Sequence, residues 1–193
     1  MNEKTAVQLQ RWMNQALCQW PGLAGARRWE YNEVLWRTCQ LLEDSLHCWE
    51  GLPAVIQTVL GGRGWAWNGI YARDGETLRL YAAAGPPVCA SIDLVGNQSV
   101  GSSGMCFDAI LMNQTLIADK VKDWPGYVSC DSESNLTTLA GMVCPIRNTH
   151  GTPIAVWDLD ATQAILPEDG LFFDRLFATL SVLLKPERAT FSH

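Results

Sequence analysis

The apolar spacing of this chain changes character at about residue 65 and again at Pro167, and those two switches limit its fold more than any other feature. Before the first switch, apolar residues recur at the three- and four-residue spacing of a helix face. Leu9, Trp12, Met13, Ala16, Leu17 and Trp20 form one stripe, ended by Pro21-Gly22. Val34, Leu35, Leu41, Leu42 and Leu46 form another over residues 29–49, with a stop expected at Gly51-Leu52-Pro53. A short third helix is expected over 54–60, closed by Gly61-Gly62. After the switch, 65–73 and 77–82 read as strands about Asp74-Gly75, a strong hairpin signal. Residues 88–104 are loop-like, 107–113 fit a short helix, 115–118 a short strand and 123–135 a second long loop. Residues 139–147 and 153–160 read as strands joined across Asn148-Thr149-His150-Gly151. Pro167-Glu168-Asp169 opens a last helix reaching about Leu184, with Pro at its first position and acids in its first turn.

This order of elements implies an α/β chain of the α+β type, a central antiparallel sheet with the N- and C-terminal helices packed on one face. A helical lead-in over 1–52 and a domain proper over 53–193 are expected to form one structural domain; 193 residues suit one domain rather than two. With 48% of residues apolar, the chain is expected to bury a core rather than stay disordered. A net charge of −6 with no long run of Lys or Arg argues against nucleic acid or an anionic membrane as the main partner. No stretch approaches the ~18 apolar residues of a membrane span. The start, Met1-Asn2-Glu3-Lys4-Thr5, lacks the basic and then apolar run of a secretion signal, so a cytoplasmic location is expected.

In a reducing compartment the seven cysteines are not a disulfide framework, and their odd number argues the same way. There is no C-x-x-C pair, and none of the three His stands near a Cys pair at zinc spacing, so no metal is expected. Buried packing and redox chemistry remain. Cys18, Cys39, Cys48 and Cys144 fall on expected helices and a strand and read as packing; Cys89, Cys106 and Cys130 fall in or beside loops, where a thiol is freer to exchange. Two strand motifs add polar and aromatic groups. The period of two puts Asp158 and Asp160 on one face, with Ile154 and Val156. They form either a solvated strand end or a pocket pair in which one charge raises the pKa of the other. Trp67, Gly69 and Tyr71 share a face too, as ordinary core or as a small aromatic cleft with room above the Gly for a thioether or methyl group.

Taken in order, Trp67 with Tyr71, Pro87-Val88-Cys89, Gly104-Met105-Cys106, Trp124-Pro125-Gly126-Tyr127-Val128-Ser129-Cys130-Asp131 and Trp157-Asp158-Leu159-Asp160 resemble the free methionine-(R)-sulfoxide reductases, a family with the GAF fold. The likeness spans about residues 30–184. It implies reduction of free L-methionine (R)-S-oxide, with Cys130 as nucleophile, Cys89 as first resolving thiol and Cys106 as a further relay. Asp158 or Asp160 would donate the proton and hold the substrate ammonium, Trp67 and Tyr71 would wall the methyl group, and Asp131 would join the binding residues. Thioredoxin or another dithiol would restore the thiols, with no metal or organic cofactor. Two features depart from the family. The loop between Cys89 and Cys106 is longer, and the family's Glu four residues before the Pro matched by Pro145 is Gly141 here. Glu133, from a lengthened loop, is the candidate to supply that acid. The alternative is a GAF small-ligand sensor without catalysis. A third reading is an interaction domain or homodimer, in which some of the nine Trp form a face.

Overall fold

A computed structural model describes residues 7, 11, 25–42, 47–86, 88–94, 99–128 and 137–191. The helix expected over Leu9 to Trp20 lies outside them. The described helices are α1 (Gly25–Leu41), α2 (Cys48–Leu60), α3 (Gly104–Met112) and α4 (Pro167–Leu184). The strands are β1 (Trp65–Asp74), β2 (Thr77–Ala84), β3 (Ser91–Asp93), β4 (Leu116–Ala118), β5 (Ala140–Arg147) and β6 (Pro153–Ala161). They form one antiparallel sheet in the order β3-β2-β1-β6-β5-β4. Both expected hairpins are present, β1–β2 across Gly75 with φ +62° and β5–β6 across Gly151 with φ +78°.

The main core lies between the sheet and α1, α2 and α4. It takes Ala140, Met142, Cys144 and Ile146 from β5, and Ala155, Trp157, Leu159 and Ala161 from β6. Trp157 stacks on Phe173 of α4 at 4.5 Å, and its indole N–H donates to Asn68 Oδ1 at 3.0 Å. The Asn68 amide donates in turn to Pro53 O and Gln57 Oε1, tying β1 and β6 to α2 through buried polar groups that are all matched. The N- and C-terminal helices thus share one face, as the sequence implies. α3 sits on the other face and makes a second cluster with Trp67, Tyr71, Val143 and Val156.

Several boundaries differ from the sequence reading. The second helix ends at Leu41 and a new one starts at Cys48, running through the expected stop at Gly51-Leu52-Pro53. Gly51 serves close packing instead: a Cβ there would meet Leu41 Cδ2 at 2.8 Å. Pro53 is held in the helix by the buried face of Cys48, Trp49, Leu52, Ile56 and Leu60, a case of tertiary packing overriding local propensity. β3 is a three-residue edge strand inside the expected loop 88–104, too short to show a period of its own.

A buried ion cluster joins the helices. Asp169, 1% exposed, accepts from Arg27 Nη1 at 2.5 and 2.7 Å, from Arg63 Nη1 at 3.2 Å, from the Tyr31 hydroxyl and from the Leu166 N–H at the start of α4. Arg63 also pairs with Glu30, and Tyr31 stacks on Phe172 at 4.1 Å. Removing one partner of such a cluster leaves charge buried and unmatched. Asp169→Ala is expected to lower the unfolding free energy by about 3–5 kcal/mol in urea titrations. Arg37→Ala, which breaks the more exposed Glu33 pair on α1, should change it by less than about 0.5 kcal/mol. Equal effects of the two substitutions would contradict the assignment of Asp169 as the keystone of the helical face.

Candidate active site

Three adjacent strands build the floor of a cleft on the face away from α1, α2 and α4. Alternation along β1, β6 and β5, with their registers, sets cross-strand rows: Trp67–Asp160–Gly141, Gly69–Asp158–Val143 and Tyr71–Val156–Pro145. Cys106, Phe107, Ala109 and Ile110 of α3 pack over this floor. Val121, Tyr127 and Val128 come from the segment 121–128. The cleft and the open solvent at its mouth take up about 610 Å³, and its lining includes Trp67, Tyr71, Cys106, Gly141, Asp158 and Asp160. Five residues chosen from the sequence, Trp67, Tyr71, Cys106, Asp158 and Asp160, therefore meet in one concavity. Cys89 is half-buried beside it and disulfide-bonded, while Cys39, Cys48, Cys106 and Cys144 are free. The Tyr71 hydroxyl donates to Cys89 O at 2.8 Å, fixing that segment against β1. Cys130, Asp131 and Glu133 lie outside the described residues, as does Cys18.

The two acids do not end a solvated strand. Both are half-buried in the cleft, paired on either side by β1 and β5. Burial pushes the Asp158 carboxyl up to about 6, against the opposing pull of hydrogen bonds from the Cys106 thiol and the Leu159 backbone. Cys106 Sγ donates to Asp158 Oδ2 at 3.4 Å. Its own thiol is driven well above its ordinary range by burial, then by Asp158, with Asp160 and Asp108 adding to it. Cys106 is thus a neutral hydrogen-bond donor, and it stands in the first turn of α3 rather than in a loop.

Other placements also depart from the sequence reading. The space expected above Gly69 is taken by the indole of Trp67: a Cβ on Gly69 would lie 2.6 Å from Trp67 Cζ2 and Cη2. Trp67 and Tyr71, each 1% exposed, with ring centroids 6.0 Å apart, form a packed wall rather than an open slot. Ile154 joins the helix-side core, away from Val156 and the acids, because the pairing slips between Ile146 and Arg147 and breaks the alternation. Gly141, where the resemblance implies a Glu, lines the cleft; a Cβ there would meet Val121 Cγ1 at 2.7 Å, with Met105 Sδ at 3.7 Å. Among the described residues no group of three His, Cys, Asp or Glu is arranged to hold a metal ion.

Sequence reasoning missed Asp108. It is 1% exposed and accepts from the Gly101 N–H at 2.8 Å and the Trp124 indole N–H at 2.7 Å, so it ties together two segments at the rim of the cleft. Their backbones also touch: Gly126 takes φ +66°, and a Cβ on it would meet Ser102 C at 2.7 Å. The available signal was an acid inside the apolar run Cys106-Phe107-Asp108-Ala109-Ile110.

Two expected outcomes follow from this geometry. Because the Asp158 carboxyl is raised by folding, the stability it allows is fully present below about pH 4, the ordinary carboxylate range, and is lost as pH rises through about 6. Asp158→Asn, which cannot ionise, should gain stability relative to wild type between pH 4 and 7, and urea unfolding across that range measures the difference. A difference independent of pH would show that Asp158 is not desolvated. Gly141→Glu alone should be destabilising, because Val121 must give way; the added substitution Val121→Ala should recover most of the loss in the same assay. No recovery would mean that the wall at Gly141 is closed by something other than Val121.

No family model matches the chain, and no curated protein matches it by sequence. Similar solved structures do exist. The free methionine-R-sulfoxide reductase of Neisseria meningitidis, solved with its substrate, is 25% identical, with a TM-score of 0.66 over 80% of this chain and 87% of that one. The fRMsr of Staphylococcus aureus in its reduced form is 21% identical, with a TM-score of 0.66 over 80% and 94% of the two chains. A GAF protein of Burkholderia vietnamiensis described as a sensor is 25% identical, with a TM-score of 0.62 over 82% and 92%. The chain has the GAF fold, in the form that free methionine-R-sulfoxide reductases and GAF sensors share.

Proposed function

We propose that this protein reduces free L-methionine (R)-S-oxide to methionine through a cysteine cycle. The observation that carries the reading is the meeting of Asp158, Asp160, Trp67 and Tyr71 in one cleft beside a disulfide-bonded Cys89. In the proposed reaction the Cys130 thiolate attacks the sulfoxide sulfur and Asp158 or Asp160 delivers a proton to its oxygen. That oxygen ends on Cys130 as a sulfenic acid, and methionine leaves, reduced by two electrons. The Cys89 thiol then condenses with the sulfenic acid, forming a disulfide and releasing water. Thioredoxin or another dithiol reduces the disulfide and is itself oxidised. The carboxylates give a substrate ammonium its counter-charge, and the packed wall of Trp67 and Tyr71 faces the methylthio end. Asp131 and Glu133 are proposed as further binding residues, with Glu133 standing in for the acid absent at Gly141. The proposed site needs no metal or organic cofactor.

A second reading, a GAF module that binds a small ligand without turnover, is favoured by one observation. The family's Glu is replaced by Gly141, and Val121 closes against the place where its side chain would start.

The assay that separates them is methionine release from each epimer of free methionine sulfoxide, with dithiothreitol or thioredoxin as reductant. Wild type is expected to act on the R epimer. Cys130→Ser should abolish release, since a hydroxyl is not ionised near neutral pH. Cys144→Ser, buried in the helix-side core, should alter stability and leave turnover in place. Ligand binding without methionine release in wild type would favour the sensor.

A further inference from the structure

Cys106 is the one described thiol in the cleft, and its surroundings do not suit a redox relay. A relay thiol attacks a disulfide as its thiolate and needs access to it. Cys106 instead sits in the first turn of α3, which packs on the cleft floor through Phe107, Ala109 and Ile110 and whose Asp108 is bonded to both Gly101 and Trp124. Among the described residues, the titratable groups lining the cleft with Asp158 are Cys106 on α3, Asp160 on β6, Tyr71 on β1 and Tyr127 in the covering segment. β5 contributes Gly141 to this lining and Val143 behind it, neither of them titratable. Negative charge on Asp158, Asp160 and the nearby Asp108 opposes a thiolate at Cys106, as its burial does. Cys89 is disulfide-bonded in the same structure in which Cys106 remains a thiol.

Resting on the reductase reading for its chemistry, we propose that Cys106 is a positioning residue: its thiol donates to Asp158 Oδ2 and holds that carboxyl in place on the cleft floor, with no part in electron transfer. The hydrogen bond spans 52 residues of sequence, from helix to strand, at 3.4 Å between the two groups. A donor in that position favours the ionised carboxyl and selects one orientation of it. Without the donor, Asp158 faces the acid Asp160 with one contact fewer and a proton more tightly held.

The test compares wild type, Cys106→Ser, which keeps a donor, and Cys106→Ala, which does not. The first measurement is the titration of the Asp158 carboxyl by carbon-13 NMR, identified by its loss in Asp158→Asn. It needs no catalysis. The midpoint is expected to rise in the Ala variant and to return toward wild type in the Ser variant; the same midpoint in all three would overturn the proposal. The second measurement is turnover with thioredoxin and, separately, with dithiothreitol. The Ala variant is expected to lose roughly tenfold in kcat with both reductants, about what one hydrogen bond to a charged group is worth, and Ser to recover most of it. A relay thiol would behave otherwise: Ser and Ala would fail equally with thioredoxin and stay active with dithiothreitol, and that result overturns the proposal. If wild type releases no methionine at all, the reductase reading fails, and the titration alone still decides whether Cys106 holds Asp158.

Discussion

β6 has to serve two interiors at once. Ala155, Trp157, Leu159 and Ala161 pack under the helices, while Val156, Asp158 and Asp160 face the cleft. Only the register with β1 on one side and β5 on the other keeps these two sets apart. A slip of one residue would turn two carboxylates into the aromatic core and lift Trp157 off Phe173. The Asn68 bond to the Trp157 indole opposes such a slip, because it leaves no partner for either group if the strand moves. The cleft is therefore a by-product of how firmly the opposite face is packed. Its acids are positioned by a tryptophan on the opposite face of the same strand.

The same alternation explains why so much of the site was legible before the structure. A period of two needs only the strand to be recognised, and Asp158 with Asp160 and Trp67 with Tyr71 then fall on common faces whatever surrounds them. Hidden features depend on distances that no spacing reports. That the Trp67 ring lies back over Gly69 is a rotamer fact, and it turned an expected slot into a wall. Ile154 leaves the acids' face because of one slip in pairing. Gly51 and Pro53 look like a helix stop locally, yet one gives close contact with Leu41 and the other is held by a buried face. Asp169 was read as a first-turn acid of α4. That it also gathers Arg27, Arg63 and Tyr31 comes from two other parts of the chain folding onto it.

Electrostatically the cleft stores a tension that a neutral pocket would not. Two half-buried carboxylates on one floor, with a third acid behind them on α3, make a poor home for a thiolate and a good one for a cation or a proton. A cysteine held in α3 against Asp158 is suited to donate a hydrogen bond. The absence of a carboxylate at Gly141 lowers the negative charge in the row with Asp160, and Val121 and Met105 make that end apolar. The pair of acids on β6 would then carry cation recognition with whatever the adjoining loop adds.

The central claim is that one catalytic thiol takes oxygen from a bound sulfoxide and passes the oxidation to Cys89. Single turnover tests it without any recycling partner. Fully reduced protein is mixed with methionine (R)-sulfoxide in the absence of dithiol, and released methionine is counted together with the thiols lost, mapped by mass spectrometry. The account predicts close to one equivalent of methionine per chain, accompanied by a Cys89–Cys130 disulfide and an unmodified Cys106. Saturable binding of the sulfoxide with no methionine released and all thiols intact would contradict it.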